Sequence, residues 1–155
     1  MKAEFVLNDV TFSHVVTSLE NIARKVPDNA RKTMRRAAER IVRQAKLYVP
    51  EDTGTLMNSI RLESSYGVRG RLQINVVAGG AGYATPKGRP LDQYAAIIHE
   101  LYDELAPGPR TLEKMAANPG KVGARFLSRA AQEEEGAIQD HMIEAITQVI
   151  KSEGF

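Results

Sequence analysis

Histidine and acidic side chains are the groups in this sequence that could bind a metal ion or transfer a proton. The chain has three histidines, His14, His99 and His141, which lie far apart in the sequence. His99-Glu100 matches half of a zinc-protease motif, but that motif needs a second histidine one helical turn later, where this chain has Asp103. We therefore interpret His99 and Glu100 as polar residues at the end of a strand or helix. A hydrolase with these two residues in its site is the alternative.

The glycine-rich stretch from Gly79 to Lys87 is the other pattern that could carry chemistry, in this case phosphate binding. Its spacing differs from that of a phosphate-binding loop, because Pro86 precedes the lysine and a glycine follows it, so we expect a flexible loop. The chain has no cysteine, which excludes a disulfide, a thiolate zinc site and a cysteine nucleophile. No cluster supplies three metal ligands, or a nucleophile beside a base. The sequence thus predicts a protein that is not an enzyme and uses no metal or cofactor.

The composition indicates one folded domain over residues 1–155. Hydrophobic residues make up 43% of the chain and charged residues 26%, which is typical of a globular protein. No apolar run approaches the roughly 18 residues of a membrane-spanning helix, and the first ten residues lack a signal-peptide stretch. We therefore expect a soluble protein that is made in a cytoplasm and has no membrane partner. The net charge of +2 does not by itself imply a nucleic-acid partner.

Hydrophobic spacing predicts two helices in the first third of the chain. Residues 4–12 favour a short strand or arm, and from Ser13 an apolar repeat predicts a helix that reaches Val26. Together, residues 1–26 form an N-terminal arm and helix. Pro27 is expected to interrupt this helix, because proline cannot donate the next helical hydrogen bond. A longer amphipathic helix then follows from Asp28, and Pro50 ends it.

A small sheet is predicted between the helices. Asp52, Thr53 and Gly54 favour a turn, and the β-like runs 60–66 and 72–78 predict an antiparallel hairpin. Residues 94–99 form too short a run to distinguish a strand from a helix. Residues 101–122 are predicted to be irregular, with one helical turn at 111–117, and a long amphipathic helix follows from Arg125. The predicted fold class is α+β, with long amphipathic helices packed on a small antiparallel β-sheet in a single domain.

Two of the predicted helices carry opposite charge. The segment 28–46 has seven basic residues and two acidic ones, a net charge of +5, whereas 130–150 has five acidic residues and neither lysine nor arginine. The basic helix 31–46 could contact the phosphates of a nucleic acid, or it could be a solvated helix face. In a third interpretation the two helices pair, either within one subunit or between neighbouring subunits. The sequence leaves these three interpretations open.

Three motifs follow one another between about residues 30 and 150. Residues 38–60, AERIVRQAKLYVPEDTGTLMNSI, match a helix followed by the pattern AK…P-x-DTG-x-L-x-x-S-I, and residues 94–100, YAAIIHE, match a strand pattern YA-x-x-x-HE. Residues 123–130, GARFLSRA, match the pattern G-x-(A/K)-x-FL-x-x-A at the start of a last helix. Together the motifs resemble the head–tail connector, neck and tail-completion proteins of tailed phages, which are often labelled minor capsid or minor tail components. The motif residues are Asp52, Thr53, Gly54, Leu56, Ser59, Ile60, Tyr94, Ala95, His99, Glu100, Phe126, Leu127 and Ala130.

This resemblance implies a non-enzymatic structural subunit of a phage or prophage virion. Such a subunit would form part of the head–tail neck or complete the tail, and it would assemble as a ring. Its partners would be further copies of itself, other neck, portal-adaptor or tail proteins, and DNA in the channel of the ring. It would be located in the virion, and in the cytoplasm of the bacterial host during assembly. The resemblance also implies an α+β fold, in which we expect the motif residues to be fold determinants.

The opposite charges suggest how identical subunits would form a ring. A ring needs a contact between two different patches of the same chain, and unlike charges favour such a contact. We expect Arg35, Arg36 and Arg43 of one subunit to meet Glu133, Asp140 and Glu144 of the next, and the loops 79–93 and 103–122 to contact other proteins. The alternative function is a DNA-binding accessory protein that uses the basic helix 31–46.

Overall fold

The longest element is helix α1, which spans Asp9–Tyr48 in a computed structural model that describes residues 9–80 and 82–155. Its 40 residues correspond to a length of about 60 Å. The predicted strand or arm at 4–12 is wrong for residues 9–12, which are helical, and residues 4–8 lie outside the described residues. Each described helix is too short or too polar to cross a lipid bilayer.

The predicted interruption at Pro27 is wrong, because α1 continues through this residue. Proline lacks the N–H group that would bond to the carbonyl of Ala23, and both residues are exposed, so water can reach the unpaired carbonyl. On either side of the proline the helix is fixed by contacts with the last helix of the chain. Lys25 pairs with Glu153 and Arg40 with Glu134. Tertiary packing therefore keeps α1 helical through Pro27, a position at which the local rule predicts that the helix ends.

A short helix follows α1, and after it comes the hairpin that the sequence predicts. Helix α2 spans Thr55–Ser59, strand β1 spans Arg61–Tyr66 and strand β2 spans Leu72–Val77. The strands pair antiparallel, from Arg61 opposite Val77 to Tyr66 opposite Leu72. Near the hairpin tip, the Arg31 guanidinium donates a hydrogen bond to the Gly70 carbonyl over 3.2 Å, which ties the hairpin to α1.

Helix α3 spans Leu91–Leu101 and resolves the ambiguity at residues 94–99 in favour of a helix. The strand that the resemblance implies for this motif is therefore wrong here. Leu91, Ala95 and Ile98 are buried and recur at spacings of four and three, which places them on one helical face against the core. Residues 101–122 are more ordered than predicted. They contain helix α4, Pro109–Ala117, which begins with proline in its first turn.

Helix α5 spans Phe126–Ser152 and runs antiparallel along α1, since its start lies at Tyr48 and its end at Asn21. The hydrophobic core gathers at the C-terminal end of α1, where Ala45, Tyr48 and Val49 pack with residues of α2, α3 and α5. Away from this core, α1 and α5 continue together as a two-helix arm. The fold is α+β, with long helices and a two-stranded antiparallel sheet, which confirms the predicted class.

Gly54 adopts the left-handed conformation that the predicted turn requires, with φ of 81°. We expect Gly54→Ala to lower the free energy of unfolding by about 1 kcal/mol or more, because a Cβ atom is strained at this φ. The added methyl group would meet only ordinary contacts at 3.8 Å, so the cost arises from the backbone. The matched control is Gly136→Ala in the open middle of α5, which we expect to raise stability by about 0.5–1 kcal/mol. Urea unfolding of both variants checks the prediction, and equal changes would contradict it.

Candidate functional site

The three sequence motifs meet in one hydrophobic cluster. Leu56 and Ile60 come from the first motif, Ala95 from the second, and Phe126 and Ala130 from the third, and all five are buried together. Phe126 is completely buried, and Leu127 packs against the edge of the cluster. The geometry thus places these five motif residues in the core, where they join α2, α3 and α5.

Ser59 is a buried polar residue that connects the first motif to the loop after the hairpin. Its hydroxyl donates a hydrogen bond to the Leu56 carbonyl over 2.7 Å and accepts one from the Gly79 N–H over 2.8 Å. Asp92, at the start of α3, accepts a hydrogen bond from the next amide, Gly80. These bonds fix the start of the glycine-rich segment, Gly79 and Gly80, against α2 and α3.

His99 takes part in joining α3 to the start of α5. Its imidazole lies edge-on to the Phe126 ring, with ring centres 5.0 Å apart, and its Nδ1 lies 2.8 Å from the Glu100 carboxylate. The His99 carbonyl accepts a hydrogen bond from the Arg125 N–H over 2.6 Å. In residues 9–80 and 82–155, no three side chains of the metal-binding types lie close enough together to hold an ion. The observed contacts of His99 are those of a packing residue.

Asp52 and Thr53 are motif residues that lie on the surface, as Glu100 does. They line a cleft of about 410 Å³ together with Tyr94 and the loop from Thr85 to Arg89. Burial raises the pKa of the Tyr94 hydroxyl above its usual value, and the nearby Asp52 carboxylate raises it further. In this cleft the DTG turn lies beside the loop at 82–90. Asp52 and Thr53 therefore form part of the protein surface in addition to making the turn.

The basic and acidic helices face each other within one subunit. The Arg40 guanidinium pairs with the Glu134 carboxylate over 2.7 Å and lies 3.2 Å from the His141 ring nitrogen. The Tyr48 hydroxyl donates a hydrogen bond to Glu133, and burial followed by this bond raises the pKa of the tyrosine. Part of the charge pairing that the sequence left open is therefore satisfied inside the chain.

Other basic residues of α1 remain on the surface. Lys32, Arg35, Arg36 and Arg43, here called the basic stripe, are exposed and make no ion pair with another described residue. Helical spacing places them within an arc of about 100°. Their side chains are available to an external partner, although Arg36 also lines a cleft of about 330 Å³ between α1 and α5.

The acidic edge of α5 is formed by Glu133, Asp140 and Glu144, all of which are exposed. Spacings of seven and four residues place the three carboxylates on one side of the helix. Glu133 is engaged by Tyr48, and Glu144 lines the same cleft as Arg36. Asp140 makes no ion pair with another residue in the described part of the chain.

Lys114 caps the C-terminal end of α1, a role that the sequence did not indicate. Its ammonium group donates hydrogen bonds to the carbonyls of Lys46 and Val49, over 2.6 and 2.8 Å, which satisfies acceptors at the helix terminus. Burial lowers the pKa of this amine, and the neighbouring Glu51 carboxylate partly offsets that effect. No periodic signal could have identified Lys114, because its role depends on where α4 packs.

Glu153 fixes the end of α5 to α1 through hydrogen bonds from Lys25 and Asn21, which lower the pKa of its carboxyl group below the usual 4.5. A carboxyl group with a lowered pKa stabilises the fold above its unfolded value, and this stabilisation is lost as the pH falls through the folded value. We expect Glu153→Gln to lower the free energy of unfolding at pH 7 and to weaken its dependence on pH below 4.5. Urea titrations from pH 3 to 7 check this, with the exposed Glu135→Gln as the control; identical pH profiles for the two variants would contradict it.

Comparison with known proteins identifies the family of the chain. A family model described as "Bacteriophage HK97-gp10, putative tail-component" matches residues 14–98, more than half of the chain. The chain belongs to this HK97-gp10-like family. The match begins earlier and ends earlier than the span of 30–150 over which the motifs suggested a resemblance. It includes the DTG turn, the hairpin and most of α3, and it ends before His99 and the third motif.

Membership in the HK97-gp10-like family indicates a bacteriophage tail component, and hence a structural protein of the virion. No curated protein and no solved structure matches the chain. The geometry described above is therefore the basis for the finer assignment of its role.

Proposed function

We propose that the chain is a non-enzymatic structural subunit that forms part of the head–tail neck, or completes the tail, as a ring of identical subunits. Family membership as a phage tail component supports the class of function. The observation that carries the ring is the basic stripe, which is exposed and unpaired within the described chain, on a molecule that also presents an acidic edge. A contact between these two different surfaces is heterologous, and such contacts generate a ring when the rotation between neighbouring subunits closes.

Ring formation uses the charges that each subunit leaves unsatisfied. Arg40 and Glu134 already pair within one chain, so they set the α1–α5 packing and contribute little to association. Arg35 and Arg43 of one subunit are available to the neighbouring subunit. Asp140 of that neighbour is the carboxylate best placed to pair with them, because it is exposed. Exposed ion pairs contribute about 0–1 kcal/mol each, so the ring is sensitive to salt.

Other proteins of the neck or tail contact the loops at 79–93 and 103–122 in this proposal. The cleft between the DTG turn and the loop at 82–90 supports the first of these surfaces, because it is open and lined by both polar and apolar groups. The second surface now consists of the exposed segment 103–108 and the outer side of α4, where Leu105 and Leu112 are about half exposed. The virion is the location of the assembled ring, and the host cytoplasm is the location of the free subunit.

Two measurements test the proposed function. Native mass spectrometry of the purified chain is expected to show a discrete oligomer, alone or when mixed with its neck or tail partners, that dissociates as ammonium acetate concentration rises. Deletion of the gene from its phage or prophage is expected to give DNA-filled heads without attached tails, or tails without heads, in electron micrographs. Normal virions from the deletion strain would contradict the assigned role.

DNA binding through the basic helix 31–46 is the second candidate function. The unpaired Lys32, Arg35 and Arg43 favour it, because phosphate contacts require accessible cations. A DNA contact in the channel of the ring is compatible with the first proposal, whereas a DNA-binding accessory protein would bind duplex DNA without forming a ring. Electrophoretic mobility shifts at two salt concentrations distinguish these cases when they are compared with the oligomeric state.

A further inference from the structure

The end of the hairpin is a tight loop that carries two arginines. Residues 67–71, which we call the hairpin tip, are closed by a hydrogen bond of 2.7 Å from the Gly67 N–H to the Arg71 carbonyl. Arg69 and Arg71 are exposed, and neither guanidinium forms an ion pair with another described residue. The hairpin therefore ends in two cations that the described part of the chain leaves unpaired.

Arg69 adopts a backbone conformation that arginine rarely takes. Its φ of 60° and ψ of 29° lie in the left-handed region, which glycine and asparagine enter more readily. Because the Arg69 side chain is exposed and unpaired, the fold gains little from an arginine at this position. Strained residues of this kind are concentrated at functional sites. The conformation of Arg69 thus points to a use for its side chain outside the fold.

The hairpin tip is held in a fixed position beside α1. One nitrogen of the Arg31 guanidinium donates a hydrogen bond of 3.2 Å to the Gly70 carbonyl, and another pairs with the Asp28 carboxylate over 3.1 Å. Six paired residues on each strand connect the tip to the core. Cations that are already positioned lose less freedom when they bind a partner.

The surroundings of the hairpin tip are positive. Residues 64–78 contain two arginines and no acidic residue, and residues 29–38 of α1 contain four basic residues and no acidic one. The acidic residues that flank these two segments are Asp28 and Glu63, which are each paired with an arginine, and the exposed Glu39. The fold therefore brings six basic residues from two distant segments side by side.

Duplex DNA is the partner that this surface fits. Accessible cations bind backbone phosphates, and each contact releases counterions that are condensed on the DNA. The major groove of B-DNA is about 12 Å wide and admits a two-stranded β-ribbon. Residues 63–71 are all exposed, so the outer part of this two-stranded hairpin is accessible to a groove. Charge and shape together favour duplex DNA over an acidic protein surface.

We propose that the hairpin tip binds duplex DNA, with Arg69 and Arg71 contacting the backbone phosphates beside the groove. This inference rests on the proposed function, in which DNA passes through the channel of the ring, and it adds a site outside the basic helix 31–46. Arg31 is a positioning residue, because it holds the tip in place. The site uses none of the arginines assigned to the contact between subunits, so both interactions occur in the same assembly.

Arg69→Gly with Arg71→Gln removes both charges and also relieves the backbone. Glycine tolerates the φ of 60°, so the variant is expected to unfold at the same temperature as the original chain or at a higher one. Its affinity for a fluorescent duplex of about 20 base pairs is expected to fall about 60-fold at about 0.1 M salt, because each lost phosphate contact lowers the slope of log affinity against log salt by about 0.9. Fluorescence anisotropy over a salt series measures the affinity and the slope.

Two further variants serve as controls. Lys87→Gln with Lys121→Gln removes the same charge at exposed positions. Lys87 lines the cleft at the DTG turn, which follows the end of α1, and that end is about 25 Å of helix from Arg31. Charges at this distance are screened, so the affinity for DNA is expected to change by less than about twofold. Arg69→Lys with Arg71→Lys keeps both charges and is expected to bind within about threefold of the original chain.

The outcomes separate this site from the proposed function. Equal affinity and salt dependence for the charge-removal variant and the lysine control would overturn the site. Failure of the original chain to bind the duplex at low salt would also overturn it, while native mass spectrometry and the deletion phenotype still decide the ring and the role in the virion.

Three further results would also contradict the proposal. Loss of assembly together with DNA binding, seen by sedimentation velocity of the charge-removal variant, would place the hairpin tip at a contact between subunits. Equally tight binding of poly-L-glutamate, lost in the same variant, would indicate an acidic protein as the partner. Equal affinity for a single strand of the same length would overturn the assignment to duplex DNA.

Discussion

Replacing Arg35, Arg36 and Arg43 with glutamate is expected to abolish self-association of the chain while leaving its fold intact. All three side chains are exposed, and none forms an ion pair with another described residue, so their reversal breaks no observed contact. Exposed substitutions of this kind usually change stability by less than about 0.5 kcal/mol. The variant places negative charge opposite the acidic edge of the neighbouring subunit, so attraction becomes repulsion at each repeat of the ring.

The matched control reverses the same number of charges elsewhere on the surface. Arg71, Lys87 and Lys121 are exposed, and their conversion to glutamate changes the net charge equally without touching the basic stripe. Sedimentation velocity at about 0.05 M and 0.5 M salt is the measurement, because the Debye length falls well below 10 Å over this range. The original chain and the control are expected to assemble at low salt and to dissociate as salt rises.

Rescue by a complementary chain makes the test specific. Asp140→Lys with Glu144→Lys reverses most of the acidic edge and keeps Glu133, which holds the Tyr48 hydroxyl. Mixing this variant with the triple arginine variant is expected to restore part of the assembly, since each again meets an opposite charge. If the arginine reversals leave assembly intact but eliminate binding to duplex DNA, the proposed contact between the basic stripe and the acidic edge is wrong. DNA binding is then the better-supported function of the basic helix.

The sequence predicts the elements whose patterns are local. The basic helix, the hairpin and the long C-terminal helix each have a clear period, and the structure confirms all three. Gly54 also follows from local chemistry, because a tight DTG turn needs a residue that tolerates positive φ. The motif spacing goes further and indicates the family to which the chain belongs.

The errors arise where tertiary contacts override a local rule. A proline inside a helix costs about 3 kcal/mol, which favours an interruption, yet the contacts of Lys25 and Arg40 with α5 keep both halves of α1 in line. Residues 101–122 contain many helix-breaking residues, yet α4 forms because Thr111 and Lys114 bond to the segment at the end of α1. Neither set of contacts can be found without knowing which helices are neighbours.

The candidate site was predicted only in part for the same reason. Composition identified one basic and one acidic helix, but it could not say which charges pair within a subunit. The structure assigns Arg40 and Glu134 to the intrasubunit contact and leaves Arg35, Arg43 and Asp140 exposed.

Phe126→Ala is expected to lower the free energy of unfolding by about 3–5 kcal/mol, the largest effect of any single substitution considered for this chain. The Phe126 side chain is completely buried, and its ring packs edge-on to His99 at 5.0 Å. It also lies in the cluster that joins α2, α3 and α5, so its removal leaves a cavity where the three motifs meet. Natural domains are stable by only about 5–15 kcal/mol, so this variant is expected to lose a large part of its stability.

Phe155→Ala is the control, because it makes the same chemical change at a phenylalanine that is 57% exposed. We expect its effect to stay within about 0.5 kcal/mol, as for most surface substitutions. Urea unfolding monitored by circular dichroism measures both variants. Because the motif residues are proposed to determine the fold, a stable and assembly-deficient Phe126→Ala variant would contradict that role and would place the third motif at an interface instead.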